Sequence, residues 1–107
     1  MIKIVTKQNF KEDVLEASNQ KPVLVDFFAT WCMPCKMMGP ILEDLADEMG
    51  DSFVVAKVDV DEESELAGEF GIMSIPTIYV LRNGKVVEQF VGMQTMEQLK
   101  TALQSHV

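Results

Sequence analysis

Apolar positions along this chain follow two rhythms that alternate with each other. Residues Val23 to Ala29 and Phe53 to Val58 are nearly unbroken apolar runs of strand length, the pattern of strands covered on both faces. Between them, Met38, Leu42, Leu45 and Met49 recur at spacings of four, three and four, which marks one face of a helix from about residue 34 to 49. Gly50 stands where helices commonly end. Gly39-Pro40 inside the same stretch predicts a kink, because proline removes a backbone hydrogen bond and crowds the preceding turn.

Shorter elements fill the rest. Ile2 to Val5 reads as a first strand. Asn9 and Glu12 have the spacing of a capping box, and Phe10, Val14, Leu15 and Ala17 follow at helical intervals up to Ser18-Asn19, ahead of the breaker Lys21-Pro22. Asp61-Glu62-Glu63 puts acid on the first turn of a short helix carrying Leu66, Ala67 and Phe70, with Gly71 at its end. Thr77 to Leu81 and Lys85 to Val91 are strands joined by Asn83-Gly84, a strong hairpin signal. Thr95 and Gln98 form a second capping-box pair, opening an amphipathic helix with Met96, Leu99, Ala102 and Leu103. The order βαβαβαββα predicts an α/β fold: a central mixed sheet of about five strands, flanked on both faces by about four helices.

Length and charge narrow what such a fold can do. At 107 residues, 1–107 reads as a single domain, and 48% apolar with 24% charged residues is an ordinary globular mix. Seventeen acidic residues against nine basic leave a net charge of -8, so nucleic acid and anionic membrane are poor candidate partners. Met1 to Val5 lacks the apolar core of an export signal, which predicts a cytoplasmic chain. In that compartment thiols are kept reduced, so a lone cysteine pair points to redox or metal chemistry rather than a structural staple.

That pair lies in Trp31-Cys32-Met33-Pro34-Cys35-Lys36, at the turn from the first apolar run into the long helix. Cys32 falls near the helix cap, where free amide groups and the positive end of the helix dipole favour a thiolate. Cys35 follows one turn later, at roughly 5–6 Å, which is near the Cα separation a disulfide requires. A zinc site is the competing chemistry, but such sites take about four ligands and only His106 could join the two sulfurs. Asp26 interrupts its apolar run. It either faces water, as alternation with Leu24 and Phe28 allows, or is buried with a raised pKa; a sheet covered on both faces favours burial.

With these elements in place, the chain resembles the thioredoxin family. The resemblance rests on Val25-Asp26-Phe27, Trp31-Cys32, Pro34-Cys35-Lys36, Pro40, Lys57, Ile75-Pro76-Thr77, Asn83-Gly84 and Gly92, and covers essentially the whole chain. Met33 departs from the family pattern, which usually has glycine between Cys32 and Pro34, and Phe28 stands where the family usually has tryptophan. The resemblance implies that Cys32 is the exposed nucleophile and Cys35 the less accessible resolving thiol, closing a Cys32–Cys35 disulfide. It implies that Asp26 accepts the Cys35 proton, that Lys57 modulates Asp26, and that Pro76 is cis and packs on the disulfide. The backbone of Ile75 would then pair with extended targets.

The same resemblance carries Trp31, Met33, Pro34, Met73, Ile75, Pro76, Gly92 and Met93 onto a substrate-binding face. Methionine is flexible and common on surfaces that bind varied partners, so Met33, Met73 and Met93 either form an apolar rim or merely reflect a chain with eight methionines. The implied activity is protein-disulfide reduction by a monomer acting on disulfide-containing target proteins and recharged by a thioredoxin reductase. The dithiol is its own redox group, with no metal or organic cofactor. A disulfide oxidase or isomerase with retuned potential, and a non-catalytic module docking a partner complex, are the alternatives.

Overall fold

The computed structural model describes residues 2–107. Five strands form one mixed sheet in the order β1-β3-β2-β4-β5. β1 (Ile2–Ile4), β3 (Val54–Asp59) and β2 (Val23–Phe28) run parallel, while β4 (Thr77–Arg82) and β5 (Lys85–Val91) add antiparallel to the other side of β2. β2 is therefore the central strand. Its alternation splits the core into two layers. Val23, Val25 and Phe27 pack with Phe10, Val14 and Leu66 on one face, and Leu24 packs with Met38, Leu42, Leu45, Leu99 and Leu103 on the other. The second layer is roofed by α1 (Met33–Met49) and α3 (Met96–Gln104), the first by α2 (Ser64–Glu69) and the helical segment near the N-terminus.

α1 runs on through Gly39 and Pro40. The Pro40 ring lies on the exposed side, where water can serve the carbonyl that proline leaves without an amide partner. Met38, Leu42 and Leu45 are fully buried beneath it. Gly50 ends the helix at φ 60, a left-handed conformation that glycine enters without a side-chain penalty.

Only one of the two capping boxes forms. Thr95 is extended at φ -78, ψ 157, its hydroxyl accepts from the Gln98 amide, and the Gln98 side chain accepts from the Thr95 amide. At Asn9 the side chain turns back instead, and its Oδ1 accepts from the Thr6 amide at 2.8 Å. Phe10 already has helical angles there, so no extended residue reaches over the first turn. The chain winds as a π-helix over Lys11–Glu16 and tightens into a 3-10 turn at Ala17–Asn19. The acidic run also sits earlier than its spacing suggests. α2 begins at Ser64, and Asp61 and Glu62 belong to a turn in which both amides donate to Asp59 Oδ1 at the end of β3.

These two look-alike signals give a stability test. Thr95→Ala should cost about 1 kcal/mol in urea denaturation, whereas Glu12→Ala, at an exposed position with no capping contact, should stay within about 0.5 kcal/mol of the parent. Equal losses would contradict the capping assignment.

Candidate active site

β2 delivers the chain directly into α1, and the cysteines sit at that junction. Cys32 is the N-cap of α1, with extended angles of φ -87 and ψ 111, and Pro34 occupies an early helical position whose missing amide costs the helix nothing. The Cys35 amide donates to Cys32 Sγ at 3.2 Å, so the sulfur takes the role that a serine or aspartate oxygen usually plays at a cap. The pair is closed as a disulfide with Cα atoms 5.2 Å apart. In this form Cys32 is 5% exposed and Cys35 4%, so exposure does not rank them. Helix position does. The Cys32 sulfur sits at the cap with the Cys35 amide aimed at it, whereas Cys35 lies within the first turn.

Asp26 is fully buried. It shares its side of β2 with Leu24, the side covered by α1, and neither carboxyl oxygen has a hydrogen-bond partner. Burial therefore dominates its titration and pushes the carboxyl from 3.8 up to about 6, opposed by the positive charge of Lys57. Lys57 faces Asp26 in the β2–β3 register, and its Nζ rests 4.9 Å from the centroid of the Phe28 ring. A cavity of about 270 Å³ opens beside these groups, lined by Phe28, Ala29, Thr30, Cys35, Lys36, Gly39 and Lys57. Cys35 and Lys57 thus line one small space.

Two distant segments complete the surroundings. The Ile75-Pro76 peptide is cis, Pro76 is buried, and Ile75 packs against the cluster of Ala29, Cys32 and Cys35. Gly92, at φ 87, donates its amide to the Pro76 carbonyl at 2.8 Å, which ties the end of β5 to the cis turn. Around this point Trp31, Met33, Met73 and Met93 are all exposed, as is Pro34, while Gly92 is half-buried.

Some features of the site escape a reading by local spacing. The Trp31 indole donates to Asp61 Oδ2 at 2.8 Å across thirty residues of sequence, so an acid that looks like helix-start chemistry instead orients the tryptophan. Met37, one turn beyond Met33, is also exposed; its place outside the 38, 42, 45 stripe was the available signal. His106 pairs with Glu88 at 2.9 Å, and its carbonyl accepts from Arg82.

Comparison with known proteins bears on this geometry directly. The thioredoxin family model matches residues 1–105. The chain belongs to the thioredoxin family. It is 47% identical over 102 residues to the thioredoxin of Bacillus subtilis, covering 95% of this chain and 94% of that one. It is 40% identical to the Listeria monocytogenes thioredoxin over the full length of both. It is also 51% identical over 88 residues, 82% of this chain, to part of the bifunctional thioredoxin reductase/thioredoxin of Mycobacterium leprae, spanning 19% of that protein. Family membership and the closed cysteine pair together make the chain a thiol-disulfide oxidoreductase with protein-disulfide reductase activity. Neither a non-catalytic docking module nor a retuned oxidase is favoured.

The buried carboxyl has a measurable consequence. Between pH 3.8 and about 6 the folded chain holds the Asp26 proton that the unfolded chain has released, so stability falls as pH rises through that window. Moving the carboxyl from 3.8 to about 6 corresponds to roughly 3 kcal/mol. Asp26→Asn should therefore be more stable than the parent at pH 7 by up to that amount, with the advantage disappearing near pH 4. Lys57→Met should raise the Asp26 pKa further, as read by carboxyl NMR titration; an unchanged or lowered value would contradict the electrostatic link.

Proposed function

We propose that the chain, acting as one domain over residues 1–107, is a general cytoplasmic reductant of target-protein disulfides and cycles through its own dithiol. The observation that carries this reading is Cys32 Sγ at the helix cap with the Cys35 amide aimed at it. In the reduced chain that amide and the helix dipole stabilise a Cys32 thiolate. The thiolate attacks one sulfur of a target disulfide, forming a Cys32–target bond and releasing the other target sulfur as a thiolate. Cys35 then gives its proton to Asp26 and attacks Cys32 Sγ. The Cys32–Cys35 bond forms, the Cys32–target bond breaks, and the second target sulfur leaves with the electron pair. The target is reduced and the chain oxidised, by two electrons each.

Asp26 suits the acceptor role because a carboxyl titrating near 6 is ionised at neutral pH yet basic enough to take a proton. Lys57 keeps it from being pushed further up. Ile75 packs on the cysteine cluster beside the cis Pro76, which supports the reading that Pro76 covers the disulfide and that the Ile75 backbone pairs with an extended target segment. Trp31, Met33, Pro34, Met73, Gly92 and Met93 frame that point as an apolar contact surface, supported by the exposure of the tryptophan and the three methionines. The chain works as a monomer, with the dithiol as its only redox group and a thioredoxin reductase restoring it. The fusion of both activities in the Mycobacterium leprae relative supports that pairing.

Two variants test the order of events. Cys35→Ser should accumulate a mixed disulfide with target protein, visible on a non-reducing gel, and Cys32→Ser should give none. The opposite pattern would reverse the roles. Asp26→Asn should slow resolution on the order of 10²-fold at neutral pH while changing first attack much less. In the parent, resolution should quicken as pH rises through about 6. Equal slowing of both steps would remove Asp26 from the acceptor role.

A further inference from the structure

The sulfur most accessible at the active end of the molecule is not cysteine sulfur. Cys32 and Cys35 are 5% and 4% exposed, and in the disulfide their sulfurs are spent as nucleophiles. Met33, Met37, Met73 and Met93 are 63%, 55%, 96% and 43% exposed. Met33 adjoins Cys32 and Met37 lies one turn farther along α1. Met73 stands two residues before Ile75, which packs on the cysteine pair, and Met93 follows Gly92, whose amide is bonded to the Pro76 carbonyl. The other methionines of α1 and α3 belong to the core. Met38 is fully buried, while Met49 and Met96 are half-buried against the same layer. Among the described residues, exposed methionine thus concentrates on one end of the sheet.

We propose that Met33, Met37, Met73 and Met93 are a modification site, where an oxygen-transfer oxidant such as a peroxide turns the apolar rim polar and suppresses docking of protein targets without touching the dithiol chemistry. The inference rests on the reading of this rim as the target-docking face. In each event the thioether lone pair attacks one peroxide oxygen. The S–O bond forms, the O–O bond breaks, the sulfur loses two electrons, and water leaves with the two hydrogens of the peroxide. The product is a sulfoxide whose S–O dipole accepts hydrogen bonds. Pressed against an apolar target segment it has no donor, and that loss opposes docking. A small disulfide needs no such contact, so its reduction proceeds as before. Oxidants acting on the disulfide state would then leave a chain that is slow toward proteins once its dithiol is restored.

The test begins with the disulfide form treated with excess hydrogen peroxide, followed by peptide mass mapping. The disulfide is then reduced with dithiothreitol, which is removed. Single-turnover rates are taken against insulin and against 5,5′-dithiobis(2-nitrobenzoate). The expected result is sulfoxide at the four rim positions, with Met38 unmodified in the same peptide region. The insulin rate should fall on the order of tenfold, the loss that one uncompensated polar group in an apolar contact brings. The small-disulfide rate should stay within twofold. A variant carrying leucine at all four positions should show the same insulin rate after peroxide as before it. Absence of sulfoxide at the rim, sulfoxide with an unchanged insulin rate, or equal loss toward both substrates would overturn the proposal. Untreated chain carrying glutamine at the four positions separates the two ideas. If its insulin rate matches the parent, the rim is not the docking face. If its rate falls while the sulfoxidised parent's does not, the rim reading stands and the modification fails.

Discussion

Almost everything at the active end follows from the coverage of β2 on both faces. A strand flanked by β3 and β4 and roofed by helices on either side keeps the side chains of Val23 to Phe27 from water, and only Phe28 at its end is partly exposed. Five of its six residues are apolar and gain from this. Asp26 does not, and with neither oxygen bonded among the described residues its ionised form is disfavoured, which holds its pKa at about 6. The same strand runs into the N-terminus of α1 and so sets Cys32 at the cap. One strand thus carries a buried carboxyl and leads to a cysteine at a helix cap, the two features on which the proposed proton acceptor and nucleophile rest.

The remaining parts reach this junction from far along the chain. Lys57 comes from β3, in register with Asp26, and its ammonium lies over the Phe28 ring with no direct ion pair to the carboxylate among the described residues. The cis turn at Pro76 and the end of β5 at Gly92 are tied by a single backbone hydrogen bond. Asp61 steadies Trp31 from the turn after β3. Each contributes little alone. Together they bring three distant segments to the nearly buried disulfide, near which Trp31 and Met33 are exposed.

Much of the fold is legible from local pattern because the signals are themselves local. The apolar runs at 23–29 and 53–58, the 38, 42, 45 stripe, Asn83-Gly84 and the Thr95–Gln98 box each describe an element whose forces act within a few residues. The structure differs where a local signal has a nearby competitor. Asn9 has a capping residue's chemistry, but the Thr6 amide claims its side chain. Asp61 and Glu62 look like first-turn acids, but Asp59 draws their amides into a turn before α2 starts. A spacing rule cannot weigh these competitors, since both choices satisfy the same kind of donor.

Taken alone, the sequence determined the alternation of strands and helices, the placing of two cysteines at a helix start, and the family pattern in which they lie. Alternation along β2 fits either water or core for Asp26, and the sequence favoured the core only through the expectation of a sheet covered on both faces. The tertiary structure bore out that burial, which depends on what covers a strand and not on the strand's own residues. It likewise decided that Lys57 faces Asp26, that Asp61 holds Trp31, and that Met37 is exposed beside Met33 while Met38 is buried. Contacts of that kind are made by register and packing between segments, and no spacing along the chain encodes them.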